Sequence, residues 1–279
     1  AKANQSGTVD RMRGLGYDVV LLDLQDPQRP IQENAQIVIR CIEESMRSAR
    51  APLVMAGISM GGLVARFALA QMEAQEQPHF TRIYLSIDTP HRGAYTSLAV
   101  QWFARRLASD IPALAGMVAL LDSVANQQFL VHCLTDGDAR ESPGRERFLR
   151  ELQTWGEYPS RPRLLAIASG RGDGERELHA PQLGVTLRNG SIGDVDLWCA
   201  PAATNGKAVV ATATSASGDL EQLEVPSQLV WDDMPGGTNQ SFANAAAIAG
   251  DPRVRNAVGK VKLHHGTSCA VPTVSALDL

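Results

Sequence analysis

The sequence predicts an α/β protein built on a mostly parallel sheet, with a helical cap and a β-hairpin insertion. Three observations predict it. Short apolar runs alternate with amphipathic stretches across residues 17–87 in the order strand, helix, strand, helix, strand, which implies parallel pairing with right-handed crossovers. Residues 95–156 carry helical periodicities and no clear strand. Residues 184–231 change to short alternating runs, the pattern of antiparallel hairpins.

The elements follow in order. Residues 4–15 read as a weak helix ending at Gly14-Leu15-Gly16. Tyr17–Leu24 is a short, mostly apolar run whose β-branched content and flanking turn residues suggest a buried parallel strand. Pro27 and Pro30 close it. From Ile31, the apolar positions Ala35, Val38, Ile39, Ile42 and Met46 step by three and four, so this stretch is a helix. Pro52–Ala56 is the second strand, and a helix runs from about Met60 to Glu76. Arg82–Ile87 is the third strand, ended by Asp88-Thr89-Pro90. Ser97–Leu107 and Pro112–Val124 read as helices. Ser142-Pro143 opens another, with proline at its first position. Arg163–Gly170 is the fourth strand. Val185–Leu187, Val195–Trp198, Lys207–Ala216 and Gln228–Trp231 read as hairpin strands. Residues 233–250 read as loop then helix, and Val261–His265 as a last strand. The resulting division is residues 1–94 for the first part of the core, 95–160 for the cap, and 161–279 for the rest of the core with the hairpin insertion.

Composition narrows the function. The 279 residues include 26 Lys+Arg and 30 Asp+Glu, for a formal charge of −4, with no basic block of the kind that nucleic-acid binding needs. No apolar run reaches the roughly 18 residues of a membrane-spanning helix. The four cysteines, Cys41, Cys133, Cys199 and Cys269, form no CxxC pair and no zinc pattern. Cys41 reads as buried filler on a helix face. No phosphate loop, cofactor motif or metal-ligand spacing is present, so the expected cofactors and metals are none.

Gly57-Ile58-Ser59-Met60-Gly61 fits the G-x-S-x-G pattern of a nucleophile elbow, and it lies between an apolar strand and an amphipathic helix, as that turn requires. A serine at such a turn is lifted above the sheet edge. Small neighbours let the helix fold back over the strand. The Met60 N–H, at the helix N-terminus, is placed to stabilise a developing oxyanion.

Ser59-Met60-Gly61-Gly62-Leu63-Val64-Ala65-Arg66 resembles the SMGGLVAR stretch of lipase-like α/β-hydrolases. Asp88-Thr89-Pro90-His91-Arg92-Gly93-Ala94 resembles the TPHxG(A/S) segment that follows the next strand in lipases and their relatives. Within that superfamily the chain is most similar to a bacterial group of esterases, through Leu85–His91, Pro235-Gly236-Gly237 and Val271–Leu277. The resemblance touches most of the chain, and only the elbow is specific to mechanism. It implies the α/β-hydrolase fold and a serine hydrolase that cleaves carboxylic esters through an acyl-enzyme on Ser59. The implied partner is a small-molecule ester or acyl substrate. Thioesterase and acyltransferase chemistry use the same parts, and a non-catalytic binding protein of this fold is the reading from a different class.

In such hydrolases the acid and then the histidine follow the serine in chain order. Asp173, after the fourth strand, matches the place of the acid, with Asp232 and Asp233 as rivals. Turn formation is the other use of Asp173-Gly174. His264 and His265 fall late enough to be the base, and His265 is the leading candidate. His91 comes too early and reads as a packed, hydrogen-bonded histidine. The Val271–Ala276 ending resembles the segment that precedes the histidine loop in these hydrolases, which places the base beyond residue 279 in the alternative. The fold also carries a strand and oxyanion loop before its first helix here. The sequence is therefore expected to be a fragment of a longer protein, truncated at both ends. In the cap, Leu98, Trp102, Phe103, Leu114, Met117, Val118, Leu120 and Leu121 either line an acyl pocket or pack the cap's own core.

Overall fold

The computed structural model describes residues 7–170, 173, 175 and 178–279. Its first half runs α1 (Thr8–Gly14), α2 (Ile31–Met46), β1 (Leu53–Ile58), α3 (Met60–Ala74), β2 (Thr81–Ile87), α4 (Leu98–Leu107), α5 (Leu114–Leu121), α6 (Val124–Phe129), β3 (Cys133–Thr135), β4 (Asp138–Arg140), α7 (Pro143–Thr154) and β5 (Arg163–Ile167). Then come β6 (Gln182–Gly190), β7 (Gly193–Ala200), β8 (Ala203–Thr204), β9 (Lys207–Thr214), β10 (Leu220–Pro226), β11 (Gly236–Asn239), α8 (Ser241–Ala249), α9 (Arg255–Val258), β12 (Lys260–Leu263), β13 (Ser268–Pro272) and α10 (Thr273–Ala276).

β1, β2 and β5 form a parallel sheet in that order. Long helical crossovers between these strands are what parallel pairing requires. One face is covered by α2, α3 and α7. Ile31, Ile39 and Ile42 of α2 meet Leu63, Phe67 and Met72 of α3, with Tyr84 of β2 and Phe148 of α7 in the same cluster. The Tyr84 hydroxyl donates to the Gly62 carbonyl at 2.7 Å, which ties α3 to the sheet beneath it. On the opposite face Val54 and Ile58 stay exposed, in register with Ile83 and Ile87.

The larger sheet is antiparallel. Its six strands run β10-β9-β7-β6-β12, with β8 paired to β9. Two-residue loops at Ser191-Ile192 and Asn205-Gly206 close two of its hairpins. Asn205 and Gly206 both have positive φ, 52° and 77°, the conformation a tight hairpin demands. Leu98 and Phe103 of α4 and Phe242 of α8 pack onto Val185, Leu197 and Val210 of this sheet.

Several expectations need correction. The sheet is not mostly parallel: three strands are parallel, and the six strands of the larger sheet are all paired antiparallel, its hairpins closed by loops too short for parallel pairing. Tyr17–Leu24 forms no regular secondary structure and belongs to no ladder, and Tyr17 and Val20 are 58% and 66% exposed. Apolar content alone does not make a strand; a neighbouring edge must accept its hydrogen bonds, and no strand among the described residues does so. Gln228–Trp231 contains a short 3₁₀ turn at Ser227–Leu229 instead of a strand. The cap region contains one small hairpin, β3–β4. Its two-residue turn, Asp136-Gly137, has positive φ at both positions. The first helix begins at Thr8, and residues 4–6 lie outside the described part. The helices predicted at 31–46, 60–76, 97–107 and from Ser142 are present. Ser142 caps α7 by accepting the Gly144 N–H at 3.0 Å. All four cysteines are free, and Cys41 is half-buried. Among the described residues no helix is long and apolar enough to cross a membrane.

Candidate active site

Ser59 links β1 to α3 with φ 51° and ψ −130°, outside the regions that L-residues ordinarily occupy. The turn is built from both sides. The Ser59 N–H donates to the Ile87 carbonyl of β2 at 2.8 Å, and the Gly62 N–H donates to the Ser59 carbonyl at 2.9 Å. A Cβ on Gly57 would sit 2.5 Å from Gly62 Cα, and a Cβ on Gly62 would sit 1.8 Å from Thr89 Oγ1. Strand, helix and the loop after β2 therefore meet at glycine surfaces. A Cβ on Gly61 would meet nothing within 4 Å. The close approach belongs to Gly62, one residue beyond the motif. Ser59 itself is exposed. Met60 is the first residue of α3, where a helix leaves N–H groups without intrahelical partners.

The other sequence candidates lie elsewhere. Asp173 is exposed, and its Oδ1 accepts the Glu175 N–H at 3.0 Å, the short-range bond of a turn. Arg171, Gly172 and Gly174 of that turn lie outside the described residues. His264 and His265 follow β12, and the backbone N–H of each donates to the Gly184 carbonyl. The rings bond to hydroxyls: His264 Nε2 to Thr186 Oγ1 at 3.1 Å, and His265 Nε2 to Thr267 Oγ1 at 2.9 Å. His265 lines a cavity of about 20 Å³ together with Asp232, Asp233, Gly236 and Thr238. That volume holds about one water molecule. The structure thus brings His265 to the rival acids, in a cavity that Ser59 does not line. No hydrogen bond joins the Ser59 hydroxyl to a histidine among the described residues.

Asp232 is 4% exposed and accepts the Tyr95 hydroxyl at 2.9 Å. Burial pushes its pKa up to about 7, against the opposing pull of the Ser97 and Tyr95 hydroxyls. His91 is buried, with Nδ1 against Arg66 Nη1 at 3.2 Å and Nε2 against Ser86 Oγ at 3.1 Å. Burial, with the adjacent Arg66 charge, pulls its pKa down to about 4. It is a neutral, packed histidine. The Arg66 guanidinium lies 3.4 Å over the Tyr158 ring, and the Tyr158 hydroxyl donates to Asp278 Oδ2 at 2.7 Å.

Sequence reasoning passed over Asp88 and Ser169. Asp88 follows β2 with φ 45°, and its carboxylate accepts both the N–H and the hydroxyl of Ser169, just after β5. The signal was an acidic residue at the carboxyl end of a parallel strand, where ligands of such sheets bind. The cap residues Leu98, Trp102, Phe103 and Leu114 are buried in the core shared with the antiparallel sheet, so they do not line an acyl pocket. A groove of about 590 Å³ between α2, α6 and α7 is lined by Gln32, Gln127, Gln128, Arg147 and Glu151, with no residue from the strand ends beside Ser59. Among the described residues no group of three or more His, Cys, Asp or Glu is placed to hold a metal ion.

No family model, curated protein or solved structure matches this chain.

Proposed function

We propose that the chain carries the nucleophile of a serine hydrolase that cleaves carboxylic esters, on an α/β-hydrolase core. One observation carries the reading: Ser59 stands exposed at a strand-to-helix turn with φ 51°, between Gly57 and Gly62, both packed too closely for any side chain. That conformation is costly, and strained backbone of this kind concentrates at functional sites. In the reaction, Ser59 Oγ bonds to the ester carbonyl carbon while its proton passes to an imidazole. The Met60 N–H donates to the oxyanion. The imidazole then protonates the departing alcohol, and water hydrolyses the acyl-enzyme. Thioesters and acyl transfer use the same steps with a different leaving group or acceptor. The roles given to Asp173 and His265 at the sequence level lack support from their positions.

A non-catalytic binding role is the second reading, favoured by the Ser59 hydroxyl having no histidine partner among the described residues. Hydrolysis of a short-chain p-nitrophenyl ester separates the two. The expected result is turnover that Ser59→Ala abolishes, a loss on the order of 10⁶-fold where the full machinery is engaged. Equal rates for the two proteins would favour the binding role.

A further inference from the structure

We infer that Asp88 is the acid of this site, the residue that positions the imidazole serving Ser59; the inference rests on the reading of Ser59 as nucleophile. The strand ends are stitched together in order. The Ser59 N–H donates to Ile87 of β2, and the Asp88 N–H donates to Ile167 of β5, each at 2.8 Å. Ile58 of β1 is in register with Ile87, and Ile87 with Ile167. Asp88 is therefore the residue next to Ser59 along the carboxyl edge of the sheet.

Its side chain is fixed by Ser169. The positive φ turns Asp88 off the strand axis, and the two donors of Ser169 hold the carboxylate over the end of β5. Gly237 of β11 passes beside it, where a Cβ would stand 3.3 Å from Asp88 Cγ. Ser59 and Asp88 follow paired strands, and paired strands of a sheet lie about 4.8 Å apart. An imidazole bonded to both residues would take the Ser59 proton as the Oγ–carbon bond forms. Asp88 accepts the other ring N–H and offsets the positive imidazolium.

The other acids lack this combination. Asp173 is exposed in a turn. Asp232 is buried against Tyr95, with a pKa raised to about 7, so it is only partly ionised where the imidazole has to work.

The test is the rate of phosphonylation of Ser59 by a fluorophosphonate, followed from about pH 5 to about pH 9. Asp88→Asn is expected to slow labelling by roughly 10²- to 10⁴-fold. It should also lower the midpoint of the pH–rate profile, because the imidazole loses a neighbouring negative charge. A merely structural Asp88 would leave that midpoint in place. Ser169→Ala keeps the charge but removes one anchor, and is expected to slow labelling about tenfold with the midpoint unmoved. If Asp88→Asn does not fold, labelling of Ser169→Ala at the wild-type rate overturns the assignment. Labelling of Asp88→Asn at the wild-type rate, or the loss appearing in Asp173→Asn instead, would overturn the assignment alone. Absence of labelling in the folded wild-type chain would overturn the nucleophile reading and this assignment with it.

Discussion

Gly62→Ala is expected to cost about 3 kcal/mol or more, while Gly61→Ala, its neighbour, is expected to gain about 0.5–1 kcal/mol. The added methyl at Gly62 would sit 1.8 Å from Thr89 Oγ1 and 2.7 Å from the Thr89 Cβ. Thr89 is completely buried, so it has nowhere to retreat. Relief would require α3 to lift away from β2, breaking the 2.7 Å bond from Tyr84 to the Gly62 carbonyl. At Gly61 the space is open, and alanine is simply a better helix former than glycine. Urea denaturation of both variants checks the pair. Equal effects at the two positions would mean that α3 does not pack on the loop after β2 in the way described. The contrast also bears on the elbow, because the motif alone singles out Gly61.

Asp232→Asn is expected to stabilise the protein above about pH 7 and to change nothing near pH 4. Burial raises the Asp232 pKa from 3.8 to about 7, so between those values the folded chain holds a proton that the unfolded chain has released. Its contribution to stability is full below about pH 4 and is lost as pH rises through about 7. At 1.36 kcal/mol per pKa unit, the loss is about 4 kcal/mol. The groups around it are Tyr95, Ser97 and Asp233, with Cys199 and Cys269 also within its field. Asparagine keeps an oxygen for the Tyr95 hydroxyl and carries no charge. His91 acts in the opposite sense. Its pKa falls from 6.5 to about 4, so its contribution is present above about pH 6.5 and is lost as pH falls through about 4. The two slopes oppose each other in the wild-type chain, and Asp232→Asn uncovers the acid sensitivity that His91 produces. Melting temperatures from about pH 4 to about pH 8 measure this. A variant less stable than wild type at every pH would show that the carboxyl is needed for its hydrogen bonds more than it suffers from burial.

The parts of the fold that were legible in the sequence are those set by local periodicity. The spacing from Ile31 to Met46 specifies α2 because one apolar face meets α3 wherever the helix ends. β1 and α3 were legible through the glycine-flanked serine between them. Tyr17–Leu24 was misread because strand formation depends on a partner edge, which no local pattern encodes. Hairpin signals such as Asn205-Gly206 were visible. The dominance of the antiparallel sheet was not, since it follows from α4 and α8 packing onto its face. At the candidate site, the strand-to-helix turn at Ser59 and the packed position of His91 could be read from residue type and position. Asp88 escaped notice because its place depends on register between β1, β2 and β5. The sequence spacing that favoured Asp173 leads to an exposed turn.

The most direct measurement is fluorophosphonate labelling of the wild-type chain and of Ser59→Ala, with the modified residue located by mass spectrometry. The expected result is a single adduct on Ser59 that is absent from Ser59→Ala. A folded wild-type chain that takes up no label, or one that is labelled equally in the Ser59→Ala protein, would contradict the reading of this turn as a nucleophile elbow.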